Sequence, residues 1–146
     1  MKKLTSIFLL LIAMTGSYQI QASEDDKPFA EERIVLQISD PNPFKQTLVL
    51  NVATNLIKYY GQDKVDIEIV AFGPGLRLMF KDNINHSRID GLSGSGVKFA
   101  ACKNTIAAMT KKLGHPPVLH DSAVPVSAGV VRIIELENQG FKLIKP

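Results

Sequence analysis

The feature that most constrains this fold is a repeated alternation of short apolar stretches with amphipathic ones. Residues 33–39 are almost continuously apolar and rich in β-branched side chains, which is typical of a strand buried on both faces of a parallel sheet. Residues 44–60 follow, with Leu48, Val52 and Leu56 at helical spacing. The same alternation recurs to the end of the chain, so the sequence predicts an α/β protein with a parallel sheet and helices on both faces.

The turn residues and periodicities set the boundaries of the remaining elements. Further strands are predicted at residues 64–72, 97–102, 123–126 and 141–144, and further helices at 76–80, 87–92, 104–113 and 127–139. Gly61 is expected to end its helix in the left-handed conformation, and Ser127 to cap the last helix. Asp66 and Glu68 alternate with apolar residues, so this end of the second strand is expected to be partly exposed.

The N-terminus has the organisation of a secretory signal peptide. Lys2 and Lys3 precede an apolar run at residues 7–14, and Ala22 offers a small residue before a cut near Ala22/Ser23. The run is shorter than the roughly 20 apolar residues that span a bilayer. We therefore predict a signal peptide at 1–22, a flexible lead-in at 23–32, and one domain at 33–146 that is periplasmic or secreted, with no membrane attachment after cleavage.

Charge and composition argue against several classes of function. The formal charge is +3, and removal of Lys2 and Lys3 with the leader lowers it to +1. The chain has no basic block and no tryptophan, so no nucleic-acid partner is expected. His86, His115 and His120 are scattered over predicted loops without the spacing of a zinc site. No metal and no cofactor are therefore expected, and Arg132 and Glu135 are expected to form an exposed pair of little energetic value.

Cys102 is the single cysteine, so the chain cannot form an internal disulfide. It lies where a predicted strand runs into a predicted helix. A residue at a helix N-terminus is close to unpaired backbone N–H groups and to the positive end of the helix dipole, and Lys103 adds a cation nearby. These features favour the thiolate, which is the nucleophilic form. The alternative is a buried cysteine that only packs under the helix, since free cysteine is among the most buried residue types.

Other candidate ligand contacts lie at the same edge of the sheet. Ligands of open α/β sheets bind outside the carboxyl ends of the strands, where the segments 40–43, 73–75, 102–105 and 125–129 should meet. Asp40 and the turn Gly73, Pro74 and Gly75 are the candidates there, with backbone amides that could face an anion. A plain tight turn is the alternative for the glycine-rich segment.

Five segments in a fixed order carry a resemblance to a known family. They are IVLQISD at 34–40, VAFGPG at 70–75, GVKFAACKNT at 96–105, VP at 124–125 and VVRIIEL at 130–136. With these segments the chain resembles the DsrE/DsrF-like family, in particular its exported single-domain members. The resemblance covers nearly all of residues 33–146.

The resemblance implies a flavodoxin-like, three-layer parallel sandwich and a homo-oligomer, often a trimer or a hexamer. It also implies that Cys102 carries sulfur as a persulfide, with Asn104 and Thr105 capping the helix under the thiol. The expected function is that of a periplasmic sulfur carrier that exchanges sulfur with donor and acceptor proteins, and its activity is at most sulfur transfer. The alternative is a non-enzymatic oligomeric binding or assembly module in which Cys102 is structural.

Overall fold

The computed structural model describes residues 27–146. The predicted signal peptide and residues 23–26 of the predicted lead-in lie outside the described residues. Residues 27–31 contain no helix or strand, but the Lys27 ammonium donates hydrogen bonds to the carbonyl oxygens of Gln62 at 2.7 Å, Val65 at 3.0 Å and Ser95 at 3.3 Å. The first strand begins at Glu32, so it takes in the last residue of the predicted lead-in.

Within residues 27–146, five parallel strands form one sheet, as the alternation of apolar and amphipathic segments predicts. In chain order they are β1 (Glu32–Ile38), β2 (Val65–Ala71), β3 (Lys98–Cys102), β4 (Ala123–Val126) and β5 (Lys142–Ile144). Their order in the sheet is β4-β3-β2-β1-β5, and every neighbouring pair is parallel. The prediction of an α/β, flavodoxin-like parallel fold is confirmed.

Helices cover both faces of this sheet, with one face covered by more of them. They are α1 (Pro43–Tyr60), a 3-10 helix (Gly73–Met79), α2 (His86–Gly94), α3 (Lys103–Leu113) and α4 (Gly129–Asn138). The larger core cluster joins α1, the 3-10 helix and α2 to one face of the sheet, with side chains of α3 packed against it. The smaller cluster joins Ile133 and Leu136 of α4 to Val35, Val70 and Ala100 on the other face.

Local sequence explains where α1 begins and where α3 ends. Asn42 caps α1 by accepting a hydrogen bond from the backbone N–H of Phe44 at 2.9 Å. Gly114 ends α3 in the left-handed conformation, as expected for a glycine after the last turn. Gly61 ends α1 at φ +90° and ψ 147°, so the prediction of a left-handed helical cap there is wrong.

The start of α4 also differs from the sequence prediction. Ser127 does not cap this helix, because the capping position belongs to Ala128 and no side chain accepts a hydrogen bond there. The helix begins at Gly129, so its capping position lies one residue later than expected. This shift decides which backbone N–H groups of α4 are free to bind something outside the helix.

The expectation that one end of β2 is partly exposed is wrong, since every residue of the strand is buried. The Glu68 carboxylate accepts two hydrogen bonds at 2.7 Å from the Arg132 guanidinium of α4, and Asp66 lies 3.6 Å from the Lys98 ammonium of β3. The predicted surface pair of Arg132 and Glu135 is correspondingly the weaker contact, at 3.6 Å. The alternation in β2 reflects paired buried charges and not an exposed surface.

Among residues 27–146, none of the helices combines the length and the apolar character that crossing a membrane requires.

Candidate functional site

Cys102 is the last residue of β3 and the capping residue of α3, at the carboxyl edge of the sheet. The neighbouring strand β4 brings Val126 opposite Cys102, and α4 begins three residues after Val126. The N-terminal ends of two helices, α3 and α4, therefore meet at one thiol. Helix N-termini present unpaired N–H groups and partial positive charge, which stabilise an anion placed between them.

Four neighbouring N–H and O–H groups act on the pKa of the Cys102 thiol. Burial is the largest single influence on this pKa, and burial acts to raise it. The Thr105 hydroxyl and the Gly129 backbone N–H act in the opposite direction, as do the backbone N–H groups of Thr105 and Asn104. Together they outweigh burial, so the pKa of the thiol lies below its ordinary value. We call this set of donors, from Thr105, Gly129 and Asn104, the thiol cradle.

The Thr105 hydroxyl is oriented by a second hydrogen bond. The backbone N–H of Gly73 donates to Thr105 Oγ1 at 2.8 Å. Because this bond occupies a lone pair of the oxygen, the hydroxyl proton is free to point at the Cys102 sulfur. The turn after β2 thus acts on the thiol through Thr105.

Gly129 allows α4 to come close to the thiol. A Cβ atom at this position would lie 2.9 Å from both Cβ and Cδ1 of Phe72, closer than real side-chain contacts allow. Phe72 follows β2 and packs against the smaller core cluster, so it cannot easily move. Only glycine at position 129 lets the first N–H of α4 reach Cys102.

Some of the other predicted site residues belong to the thiol cradle or support it, and the rest do not act on the thiol. The backbone N–H of Asn104 is among the groups that lower the thiol pKa, whereas Lys103 is exposed and is not among them. Gly73 supports Thr105, and Pro74 lies beside it on the wall of a neighbouring cavity. Gly75 is buried, and a Cβ there would lie 2.5 Å from the carbonyl oxygen of Ile38, so it serves close packing of the 3-10 helix on β1.

Asp40 lies apart from the cradle. Its carboxylate accepts a hydrogen bond from the backbone N–H of Asn42 at 2.8 Å, which shapes the turn before α1. It lines a separate depression of about 180 Å³ together with Lys45 and Lys145.

His120 is the one buried histidine among the described residues. Its Nδ1 accepts a hydrogen bond from the backbone N–H of Ser122 at 3.1 Å, and its Nε2 lies 3.2 Å from Asp90. Both ring nitrogens are therefore engaged within the fold. Within residues 27–146 there is no cluster of three or more histidine, cysteine, aspartate or glutamate side chains that could hold a metal ion.

Gly129 is the member of the cradle that the sequence did not reveal. The sequence predicts the segment 125–129 at this edge, but with Ser127 as the residue that caps the helix. A glycine directly before the apolar residues Val130, Val131 and Ile133 was the available signal, because glycine at a helix start marks a close approach of the backbone. The contact itself depends on Phe72, which is 57 residues away in sequence.

Two solved structures resemble this one over their whole length. MTH1491 from Methanobacterium thermoautotrophicum, described as a protein of unknown function, is 28% identical with a TM-score of 0.72, covering 80% of this chain and 100% of MTH1491. The YchN protein from E. coli is 13% identical with a TM-score of 0.63, covering 79% of this chain and 99% of YchN. The chain has the DsrE-like fold of these two proteins.

The likeness confirms the fold that the resemblance to the DsrE/DsrF-like family implied. No protein-family model matches the sequence, and no curated protein matches it.

Proposed function

We propose that this protein carries sulfur as a persulfide on Cys102. The observation that carries the proposal is the thiol cradle, in which four neutral donors hold the pKa of a buried thiol below its ordinary value. The thiolate is the form of cysteine that attacks sulfur. Donors that the fold already holds in place stabilise the charge of the thiolate, so no water molecules have to be reoriented around it. The resemblance of the segment around Cys102 to sulfur-relay proteins supports the same role.

The reaction needs no cofactor. The Cys102 thiolate attacks the terminal sulfur of a donor that contains a sulfur–sulfur bond, such as a protein persulfide. The donor's sulfur–sulfur bond breaks, and its electron pair leaves with the donor as a thiolate. A new sulfur–sulfur bond forms on Cys102, and an acceptor thiolate later takes the outer sulfur by the same step in reverse. The electrons balance at each transfer, so the protein is a carrier that acts between a donor and an acceptor.

Intact mass spectrometry tests this proposal directly. We expect the purified protein, incubated with a sulfane-sulfur donor, to gain the mass of one sulfur atom and to lose it on addition of a thiol. Cys102→Ser is the control and should gain nothing. If the protein gains no sulfur, or if Cys102→Ser gains as much, Cys102 is not a sulfur carrier.

The burial of Cys102 favours a second candidate function, that of a non-enzymatic binding or assembly module with a structural thiol. The residue is only 5% exposed, which is the usual condition of an inert cysteine. A thiol-reactive dye separates the two candidates. Rapid labelling of the native protein at mildly acidic pH supports a reactive thiolate, whereas labelling only after denaturation supports the structural role.

We also propose that the protein forms a homo-oligomer, a trimer or a hexamer. Several large apolar side chains are strongly exposed, among them Phe44 and Ile84, each 84% exposed. Contact with a second copy would remove such side chains from water, which favours association. Light scattering coupled to size exclusion should give three or six copies, and a monomer at micromolar concentration would contradict the proposal.

Export is the remaining part of the proposal. Its support is the basic start and short apolar run before Ala22 in the sequence. Expression of the full chain in a bacterial host, followed by fractionation and determination of the N-terminal residue, should yield a periplasmic product that begins near Ser23. A full-length product retained in the cytoplasm would show that no signal peptide is present.

A further inference from the structure

A cavity of about 670 Å³ lies beside the thiol cradle, between the 3-10 helix and α3. This volume is within the range of small-molecule sites in proteins. Most of its wall is apolar, and the side chains that make it so are Pro74, Phe80, Ala108, Met109 and Leu113. Such a wall suits a ligand with an apolar body.

The cavity and the thiol share part of their surroundings. Thr105 and Asn104 both line the cavity, and both are among the groups that lower the pKa of the Cys102 thiol. Gly73, which orients Thr105, lines the cavity as well. Cys102 itself does not line it. Thr105 therefore lies between the cavity and the thiol, and the terminal sulfur of a molecule bound at this end reaches Cys102 only when the Thr105 side chain turns aside.

The charged residues around the cavity favour an anion. Arg77 and Lys112 contribute two positive charges, and Asp82 contributes one negative charge. The remaining polar side chains, apart from those near the thiol, are amides. A ligand with one negative charge and an apolar body complements both the charge and the wall.

We propose that this cavity binds an organic sulfane-sulfur donor that carries one negative charge and an apolar group, such as an arylthiosulfonate. The inference rests on the proposed sulfur-carrying function and names the class of small molecule that serves it. The Cys102 thiolate attacks the terminal sulfur of the thiosulfonate. The donor's sulfur–sulfur bond breaks, its electron pair leaves with the arylsulfinate, and the new bond leaves Cys102 as a persulfide anion. No oxidant and no net proton transfer are needed.

The test compares two donors that differ in the apolar group. Benzenethiosulfonate and inorganic thiosulfate are supplied to the protein at equal concentration, and the rate at which Cys102 gains sulfur is followed by intact mass. We expect benzenethiosulfonate to load Cys102 at least about tenfold faster after correction for its rate with a small free thiol, because the phenyl ring is buried against the apolar wall.

Two neighbouring lysines provide a matched pair of variants. Lys111 and Lys112 both lie exposed in the last turn of α3, and only Lys112 lines the cavity. Lys112→Gln should slow loading from benzenethiosulfonate several-fold, whereas Lys111→Gln should leave it unchanged. Equal rates for the two donors, or equal effects of the two variants, would overturn the inference.

The outcomes also separate this inference from the proposed function. If both donors load Cys102 at the same corrected rate, the protein carries sulfur but the cavity does not select the donor. If neither loads Cys102, the proposed function fails, and calorimetry with benzenesulfinate and Cys102→Ser still tests the cavity. Binding that Lys112→Gln weakens supports an organic-anion site, and absence of binding, as expected if a second copy covers the cavity, overturns it.

Discussion

Glu68 and Cys102 are both buried groups that can carry a negative charge, and the protein stabilises these two charges by different means. Glu68 on β2 is neutralised by a full positive charge, since Arg132 donates two hydrogen bonds to its carboxylate at 2.7 Å. These bonds are the largest influence on the pKa of Arg132, which is raised. Cys102 at the edge of the sheet is instead stabilised by neutral N–H and O–H groups.

The two kinds of partner, a guanidinium and a set of neutral donors, indicate different roles for Glu68 and Cys102. A carboxylate held by a bidentate guanidinium is fixed in place and is neutralised by a full counter-charge. A thiolate held by dipoles keeps its nucleophilic sulfur without a counter-ion that must be displaced. The first arrangement fastens α4 to the sheet, and the second prepares a reactive atom beside the end of the same helix.

The largest expected effect comes from removing the cation of the first site. Arg132→Met leaves the Glu68 carboxylate buried and without its partner, which should lower the free energy of unfolding by about 3–5 kcal/mol in urea denaturation. Glu135→Gln is the control, because Glu135 is half exposed and 3.6 Å from Arg132, and it should change stability by less than about 0.5 kcal/mol. A loss below about 1 kcal/mol for Arg132→Met would mean that the pair does not fasten α4.

The same region shows how far the sequence could predict the molecule. Each strand stands out by its own apolar run, so the order of elements and the parallel sheet follow from local pattern. The partner of Arg132 does not, because Glu68 is 64 residues away in sequence and meets it only after α4 has packed across the sheet. From the sequence alone, the nearby Glu135 is the expected partner of Arg132, in an exposed pair.

The candidate site divides in the same way. Cys102, Asn104 and Thr105 are neighbours in the chain, so a thiol at a helix start could be inferred from a strand running into a helix. The effect of Gly129 on the pKa of Cys102 requires that α4 approaches the thiol and that Gly129 fits against Phe72. No local sequence pattern specifies either contact. The sequence therefore predicts one helix terminus at the thiol, and the fold supplies two.

Gly129→Ala should act on both properties of the second site. The added Cβ would lie 2.9 Å from Phe72, and forcing this contact apart should cost about 1–3 kcal/mol of stability. It should also move the Gly129 N–H away from Cys102 and raise the pKa of the thiol. Gly91→Ala is the matched control, because Gly91 lies within α2 with open space around it. That variant should be neutral or more stable by about 0.5–1 kcal/mol, with the thiol unchanged.

Thr105→Val should weaken the cradle with a smaller loss of stability. The variant keeps the shape of the side chain but removes the hydroxyl that bonds Cys102 and accepts from Gly73. We expect about 1 kcal/mol less stability and a raised thiol pKa. Thr105→Ser retains the hydroxyl and should keep the pKa of the thiol close to that of the natural chain. Equal thiol pKa values in the valine and serine variants would exclude a role for the hydroxyl.

The smallest expected effect is the part of the pH dependence of the free energy of unfolding that is due to Cys102. Its pKa is lower in the folded than in the unfolded chain, so the resulting stabilisation is fully present above the unfolded thiol pKa of about 8.5 and is lost as the pH falls through the folded pKa. The stability of the protein minus that of Cys102→Ser, from urea denaturation at a series of pH values, should therefore increase with pH over this window. A difference that is constant or decreases would contradict the direction of the shift.

Titration of the Cys102 thiolate tests the central claim most directly. The ultraviolet absorbance of the thiolate, measured against pH in the native and the urea-denatured protein with Cys102→Ser as the blank, gives both pKa values. We expect the native midpoint to lie below the denatured one, because the cradle outweighs burial. A native midpoint equal to or above the denatured value would show that burial dominates and that Cys102 is a structural thiol.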